Sequence, residues 1–189
     1  MVISETELVA AVARDRGAGR TVAFANGCFD LLHVGHVRYL QASATEADRL
    51  IVAVNDDASV AGLKGKGRPI LPAPERAELV SALRGVDYVV IFNDANVERL
   101  LLLVKPDVHC KGTDYTVDTV PERAVVGSYG GRTAIVGDPK SHGTRELLAR
   151  IANTSHDAPR TAHPAPHTVH SAPRTPHSAP LDHSKDPDR

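Results

Sequence analysis

An apolar run over residues 21–25 enters Asn26-Gly27-Cys28-Phe29-Asp30-Leu31-Leu32-His33-Val34-Gly35-His36, and an amphipathic segment, Val37-Arg38-Tyr39-Leu40, follows at once. Few arrangements fit this order. A strand must end in a glycine-containing turn that opens directly into a helix. Such a junction presents backbone N–H groups at residues 26–29 and at the helix start, where the helix dipole favours negative charge. His33 and His36 fall one helical turn apart, so both imidazoles can face the same anion. Gly35 between them leaves the backbone open to close approach. The junction is predicted to hold a polyphosphate and to serve nucleotide binding and transfer.

The rest of the chain repeats the alternation. Strand patterns fall at residues 21–25, 50–55, 88–92, 108–110 and 133–136, with helical patterns at 37–45, 74–83, 97–104, 121–129 and 144–152. Ser4 and Glu7 form a capping box before a further helix that runs to about Arg16. Strands alternating with helices predict an α/β fold, a Rossmann-like and mostly parallel sheet with helices on both faces. Ligands of such sheets bind outside the carboxyl ends of the strands, where the strand order reverses. The turn at Asn26 and the segments after Asn55, Cys110 and Val136 all belong to that edge.

Composition narrows the function. Lys and Arg number 22 against 23 Asp and Glu, and Phe, Tyr and Trp together supply seven residues. A near-neutral chain without basic, aromatic-rich clusters is expected to bind neither nucleic acid nor a membrane surface. Phosphate binding must then come from a few placed cations. No apolar run reaches bilayer length, the first residues lack the pattern of a signal peptide, and Cys28 and Cys110 have neither metal nor disulfide spacing. A cytoplasmic location is the expectation. From Thr154 large apolar residues almost vanish, and six of the ten histidines and seven of the thirteen prolines lie beyond that point. Ala158-Pro159-Arg160-Thr161-Ala162-His163 returns there as Ala172-Pro173-Arg174-Thr175-Pro176-His177. The expected organisation is a domain over residues 1–153 and a disordered C-terminal His/Pro-rich tail over 154–189.

The His-x-Gly-His signature after Asn-Gly-Cys-Phe-Asp resembles the cytidylyltransferase-like nucleotidyltransferases, and most of all their sugar-phosphate adenylyltransferase branch, which makes ADP-heptose. The likeness continues in order through Val52-Ala53-Val54-Asn55-Asp56-Asp57, Leu63-Lys64-Gly65-Lys66-Gly67-Arg68-Pro69, Arg84-Gly85-Val86-Asp87, Lys111-Gly112-Thr113-Asp114-Tyr115 and His142-Gly143-Thr144-Arg145. The resemblance implies that ATP and a sugar phosphate are the substrates, that magnesium (Mg2+) accompanies the ATP, and that the protein is a homodimer. No metal cage within the protein is expected.

The resemblance also implies roles for residues. His33 and His36 would meet the triphosphate and the transition state, with Lys111 and Lys64 as further catalytic cations. Asn26, Gly27, Cys28, Phe29, Gly35, Arg84, Gly112, Asp114, Thr144 and Arg145 would bind nucleotide, and Asp30, Asn55, Asp57 and Arg68 the acceptor. Blander readings stand beside these. Cys28 suits packing better than thiol chemistry, Asp30 can simply hold its turn, Arg84 can serve a dimer interface instead of a phosphate, and Asp56 and Asp57 can end a strand. Residues 64–69 can be a solvated loop, Lys66 has the weakest claim of its cations, and Arg76 suits a solvated helix role as readily as a phosphate contact.

One motif departs from the pattern. Relatives carry Ser-Thr-Thr or Ser-Thr-Arg where this chain has Gly143-Thr144-Arg145, so a hydroxyl is missing at a helix start, a loss that His142 could partly make good. Two rivals therefore remain: a cytidylyltransferase acting on glycerol 3-phosphate or another small alcohol phosphate, and a nucleotide-binding module without turnover. A class I aminoacyl-tRNA synthetase, which shares a similar histidine motif, does not fit so short and neutral a chain.

Overall fold

The computed structural model describes residues 1–139 and 143–157. Five strands, β1 Val22–Gly27, β2 Arg49–Asn55, β3 Tyr88–Phe92, β4 Val108–Gly112 and β5 Arg132–Val136, form one sheet in the order β3-β2-β1-β4-β5, every pair parallel. Seven helices accompany them among the described residues: α1 Glu5–Gly17, α2 Val34–Ala44, α3 Asp57–Lys64, α4 Ala73–Ser81, α5 Glu98–Val104, α6 Arg123–Ser128 and α7 Thr144–Asp157. No helix among the described residues is long and apolar enough to cross a membrane.

Both faces of the sheet are covered, and the sequence shows why. Residues 50–54 of β2 are apolar without alternation and all buried, as expected for a strand packed on both sides. On one face Ala23, Ala25, Leu50, Val52 and Val54 meet Leu40 of α2 and Ala77 and Val80 of α4. On the other, Phe24, Ile51, Val90 and Phe92 meet Leu8 and Val12 of α1, Leu100 and Leu101 of α5, and Val126 of α6. Each such Leu, Val or Phe contributes about 1.5–3 kcal/mol by leaving water. The capping box at Ser4 is complete: Ser4 Oγ accepts from Glu7 N–H, and Glu7 accepts from Ser4 N–H at 2.8 Å.

The chain builds β1, β2 and β3 in one direction, then returns to place β4 and β5 on the far side of β1. The order reverses between β1 and β4, so a crevice opens at the carboxyl ends of those two strands. Asn26 and Gly27 stand on one side of it, Lys111 and Gly112 on the other.

Three expectations need revision. Asp56 does more than end a strand: its side chain accepts from Ser59 N–H at 2.8 Å and caps α3. Lys64 therefore closes a helix instead of starting a loop. The last helix extends from Thr144 to Asp157, past the expected end at Ala152. Most of the expected disordered tail, residues 158–189, lies outside the described residues, as does His142.

Candidate active site

A cavity of about 1020 Å³ occupies the crevice. It is walled by the turn after β1, the start of α2, the end of α3, the loop after β4, the end of β5 and the start of α7. Of the residues singled out in the sequence, it brings together Asn26, Gly27, Cys28, Phe29, His33, Gly35, His36, Asn55, Lys64, Arg68, Lys111, Gly112, Asp114 and Thr144. Lys66 and Gly143 line it too.

The histidine pair is built from below. Phe29 adopts a left-handed conformation (φ 46°), which costs a non-glycine residue about 1–3 kcal/mol. The turn thereby folds the buried Phe29 ring back against His36, edge to face at 5.3 Å. Gly27 leaves room for the ring: a Cβ there would stand 3.2 Å from it and oblige it to shift. His33 occupies the N-cap position of α2 but makes no side-chain capping bond. Its ring instead stacks on His36, with centroids 3.8 Å apart and planes 24° from parallel. Burial first, then the charges of His33 and Lys64, push the His36 imidazole down to a pKa of about 4. His36 is therefore neutral near pH 7, able to donate one N–H to a phosphate oxygen.

Lys111, on β4, lines the same cavity. Its Nζ donates to Asn26 Oδ1 at 3.0 Å and to Glu122 Oε1 at 3.0 Å, so it ties β4 to β1 across the switch point. Burial lowers the affinity of this amine for its proton, and the Glu122 carboxylate opposes that effect. His109, on the same strand face as Lys111, reaches the same Asn26 Oδ1 at 3.2 Å. Burial, aided by the charge of Lys111, depresses the His109 pKa to about 3. The Cys28 thiol is shifted up by burial, which keeps it protonated and fits packing rather than nucleophilic chemistry.

Three expected site residues do not line the cavity. Asp30 is completely buried. Its Oδ1 accepts from the N–H groups of Ile70 and Leu71, and its Oδ2 lies 2.6 Å from the Arg68 guanidinium. Asp30 thus grips the loop between α3 and α4 and, without lining the cavity itself, holds its wall residue Arg68. Asp57 pairs with Arg76 at 2.7 Å, outside the cavity. Arg84 is exposed just before β3, at the amino ends of the strands, where Asp87 binds Leu50 N–H and Arg49. It stands at the opposite edge of the sheet and does not line the cavity. Arg145 belongs to α7, but its side chain is outside the described residues.

Arg76 corrects both readings offered for it. It is fully buried, donates to Leu71 O and Cys28 O, and pairs with Asp57, so it is an internal tie between α4 and the turn after β1. The spacing of Ala73, Arg76, Ala77 and Val80 already placed it on the buried face of α4. His109 also left a signal, because strand alternation puts residues 109 and 111 on one face. Glu122 left none; its meeting with Lys111 is purely tertiary. At the mouth, Arg38 pairs with Asp138 at 2.8 Å, and both residues line the cavity.

The family model described as cytidylyltransferase-like matches residues 24–175. The chain is 44% identical over 152 residues to the bifunctional protein HldE of Pseudomonas fluorescens (strain SBW25), a match covering 80% of this chain and 32% of that protein. It is 43% identical over 144 residues to the bifunctional protein HldE of Geobacter sulfurreducens, covering 76% and 29% respectively. The chain thus spans about a third of the length of the curated relatives it matches. Among solved structures it is similar to the lipopolysaccharide core biosynthesis protein of Thermoplasma volcanium GSS1, with a TM-score of 0.57, 27% identity, and coverage of 65% of this chain and 100% of that one. A parallel sheet with its cavity at the β1/β4 switch point, a stacked histidine pair sharing that cavity with a buried lysine, and a family match over most of the chain agree: this chain belongs to the cytidylyltransferase-like family of nucleotidyltransferases.

Proposed function

We propose that this cavity transfers AMP from ATP to a sugar 1-phosphate, D-glycero-D-manno-heptose 1-phosphate fitting best, to give an ADP-sugar and pyrophosphate. An oxygen of the sugar phosphate attacks the α-phosphorus, the bond from that phosphorus to the bridging oxygen breaks, and pyrophosphate leaves with the electron pair. The attacking oxygen is already anionic near neutral pH, so no strong base is required. Catalysis then rests on positioning and on stabilising charge as it spreads over phosphoryl oxygens.

The observation that carries the reading is the convergence of the His33–His36 pair and Lys111 on one cavity from opposite sides of the switch point. In this proposal His33 and His36 donate to the α-phosphate and the leaving group, and Lys111 and Lys64 neutralise the triphosphate. The backbone at residues 26–29 and Gly112 cradles phosphate, Thr144 binds it at the start of α7, and Asp114 and Asn55 hold hydroxyl groups. Arg68 contributes at the rim while anchored to Asp30. Magnesium enters on the triphosphate as part of the substrate. Among the described residues no three His, Cys, Asp or Glu side chains converge on a metal-binding point, and no step is assigned to one. The same proposal includes a homodimer working in the cytoplasm.

Gly143 in place of the relatives' serine keeps the cytidylyl reading alive, since that position adjoins the nucleotide. Pyrophosphate release across ATP, CTP, GTP and UTP, crossed with heptose 1-phosphate, hexose 1-phosphates and glycerol 3-phosphate, separates the readings. The proposal requires turnover with ATP and heptose 1-phosphate. Turnover confined to CTP with glycerol 3-phosphate would replace it, and nucleotide binding without release under every pairing would favour a binding module.

A further inference from the structure

The lysine of the cavity is already engaged in the empty site. Lys111 and Glu122 are each only 7% exposed, and two of the three ammonium N–H groups are spent on Asn26 and Glu122. Glu122 caps α6, yet its carboxylate takes no hydrogen bond from that helix. It forgoes the N–H groups that a side chain at a helix start ordinarily collects. Around the ammonium stand neutral His109 on β4, the Asn26 carbonyl on β1, and the Tyr115 ring, 5.6 Å from Nζ. Asp114, Lys64, Lys66 and Arg68 share the cavity. Burial penalises the ammonium, and Glu122 is the carboxylate in contact that opposes it.

We propose that Glu122 is a positioning residue, holding Lys111 as an ammonium whose third N–H is offered to a polyphosphate entering the cavity. The ligand in this statement rests on the nucleotidyl-transfer reading; the charge-holding role does not. Burial disfavours the ammonium and Glu122 opposes that effect, so neutralising Glu122 must release the Lys111 proton at lower pH. Below the new midpoint the site keeps its cation. Above it, phosphate binding is lost.

The test uses the full chain labelled with ¹³C-lysine. Its six lysines are followed through their Cε–Hε signals, with Lys111 assigned by Lys111→Arg. Glu122→Gln is expected to lower the Lys111 midpoint by about one to three pH units, and Glu122→Asp by less. The alkaline limb of kcat/KM should move down by the same interval in Glu122→Gln and recover in Glu122→Asp. An unmoved midpoint in folded Glu122→Gln overturns the proposal. Should that variant not fold, wild-type protein titrated with inorganic tripolyphosphate decides. The Lys111 signal is expected to move together with those of Lys64 and Lys66. Movement of the other two without Lys111 overturns this inference and leaves the nucleotidyl-transfer reading standing; no movement of any lysine overturns both.

Discussion

Replacing Asp30 tests how the cavity's cationic loop is held. The carboxylate has no exposed surface, accepts two backbone N–H groups from Ile70 and Leu71, and faces an Arg68 side chain that is 14% exposed. Asp30→Ala would orphan all three donors at once. An unsatisfied buried donor costs about 1–3 kcal/mol, and removing one partner of a buried ion pair about 3–5 kcal/mol. These contributions overlap, because Ile70 is half exposed and the loop can turn its N–H groups and the guanidinium towards water. The low end of the pair value, about 3 kcal/mol, is therefore the expected loss of stability. For a domain of this size that corresponds to a fall in Tm of about 6–12 °C. Asp30→Asn keeps a carbonyl for the N–H groups but no charge for Arg68, and should lose roughly half as much. Urea and thermal unfolding of Asp30→Ala, Arg68→Met and the double variant complete a cycle, with an expected coupling of about 1–3 kcal/mol. Additive losses, or an Asp30→Ala protein melting within about 2 °C of wild type, would refute the latch.

The other predictions are simpler. His36→Ala should lower turnover by about two to four orders of magnitude with little change in melting; near-normal turnover would remove the histidine pair from the chemistry. His109 is fully buried and neutral, with its pKa depressed to about 3, whereas the unfolded chain protonates it near 6.5. Acid therefore favours the unfolded state as pH falls below that unfolded value, by about 2 kcal/mol for this residue at pH 5. His109→Gln should shrink the stability loss between pH 7 and pH 5 by that amount, and an unchanged loss in urea melts would contradict its neutral burial. At Gly143 an added Cβ meets nothing within 4 Å, so Gly143→Ser should fold normally and leave turnover equal or higher; a marked fall would show that glycine suits the substrate this site accepts.

The strands were legible because a sheet buried on both faces demands continuous apolar runs, and residues 50–54 and 88–92 supply them between polar breaks. The same alternation placed the cavity, since a turn following a strand's carboxyl end has one edge of the sheet to occupy. Helix α3 was harder to read. It is eight residues long, includes Gly62, and buries one side chain, Val60, so its periodicity is faint and only the Asp56 cap marks it. Among site residues, the local motif carried His33, His36 and Gly27 into the cavity because turn and helix are contiguous in the chain. Asp30 and Arg84 fall outside the cavity lining for a common reason. A motif shows that a residue is used but not on which side of the turn, or at which end of the strand, its side chain acts. Glu122 stood beyond reach, because its contact with Lys111 spans eleven positions and a helix start that carries no distinctive pattern.

The central claim is that the cavity at the β1/β4 switch point is where the nucleotide reacts. A crystal structure with an ATP analogue whose α–β bridge cannot be cleaved tests it most directly. The α- and β-phosphates are expected over the His33–His36 stack, with Lys111 Nζ within hydrogen-bond reach of a phosphate oxygen and still paired with Glu122. A triphosphate seated away from both histidines and Lys111 would contradict it.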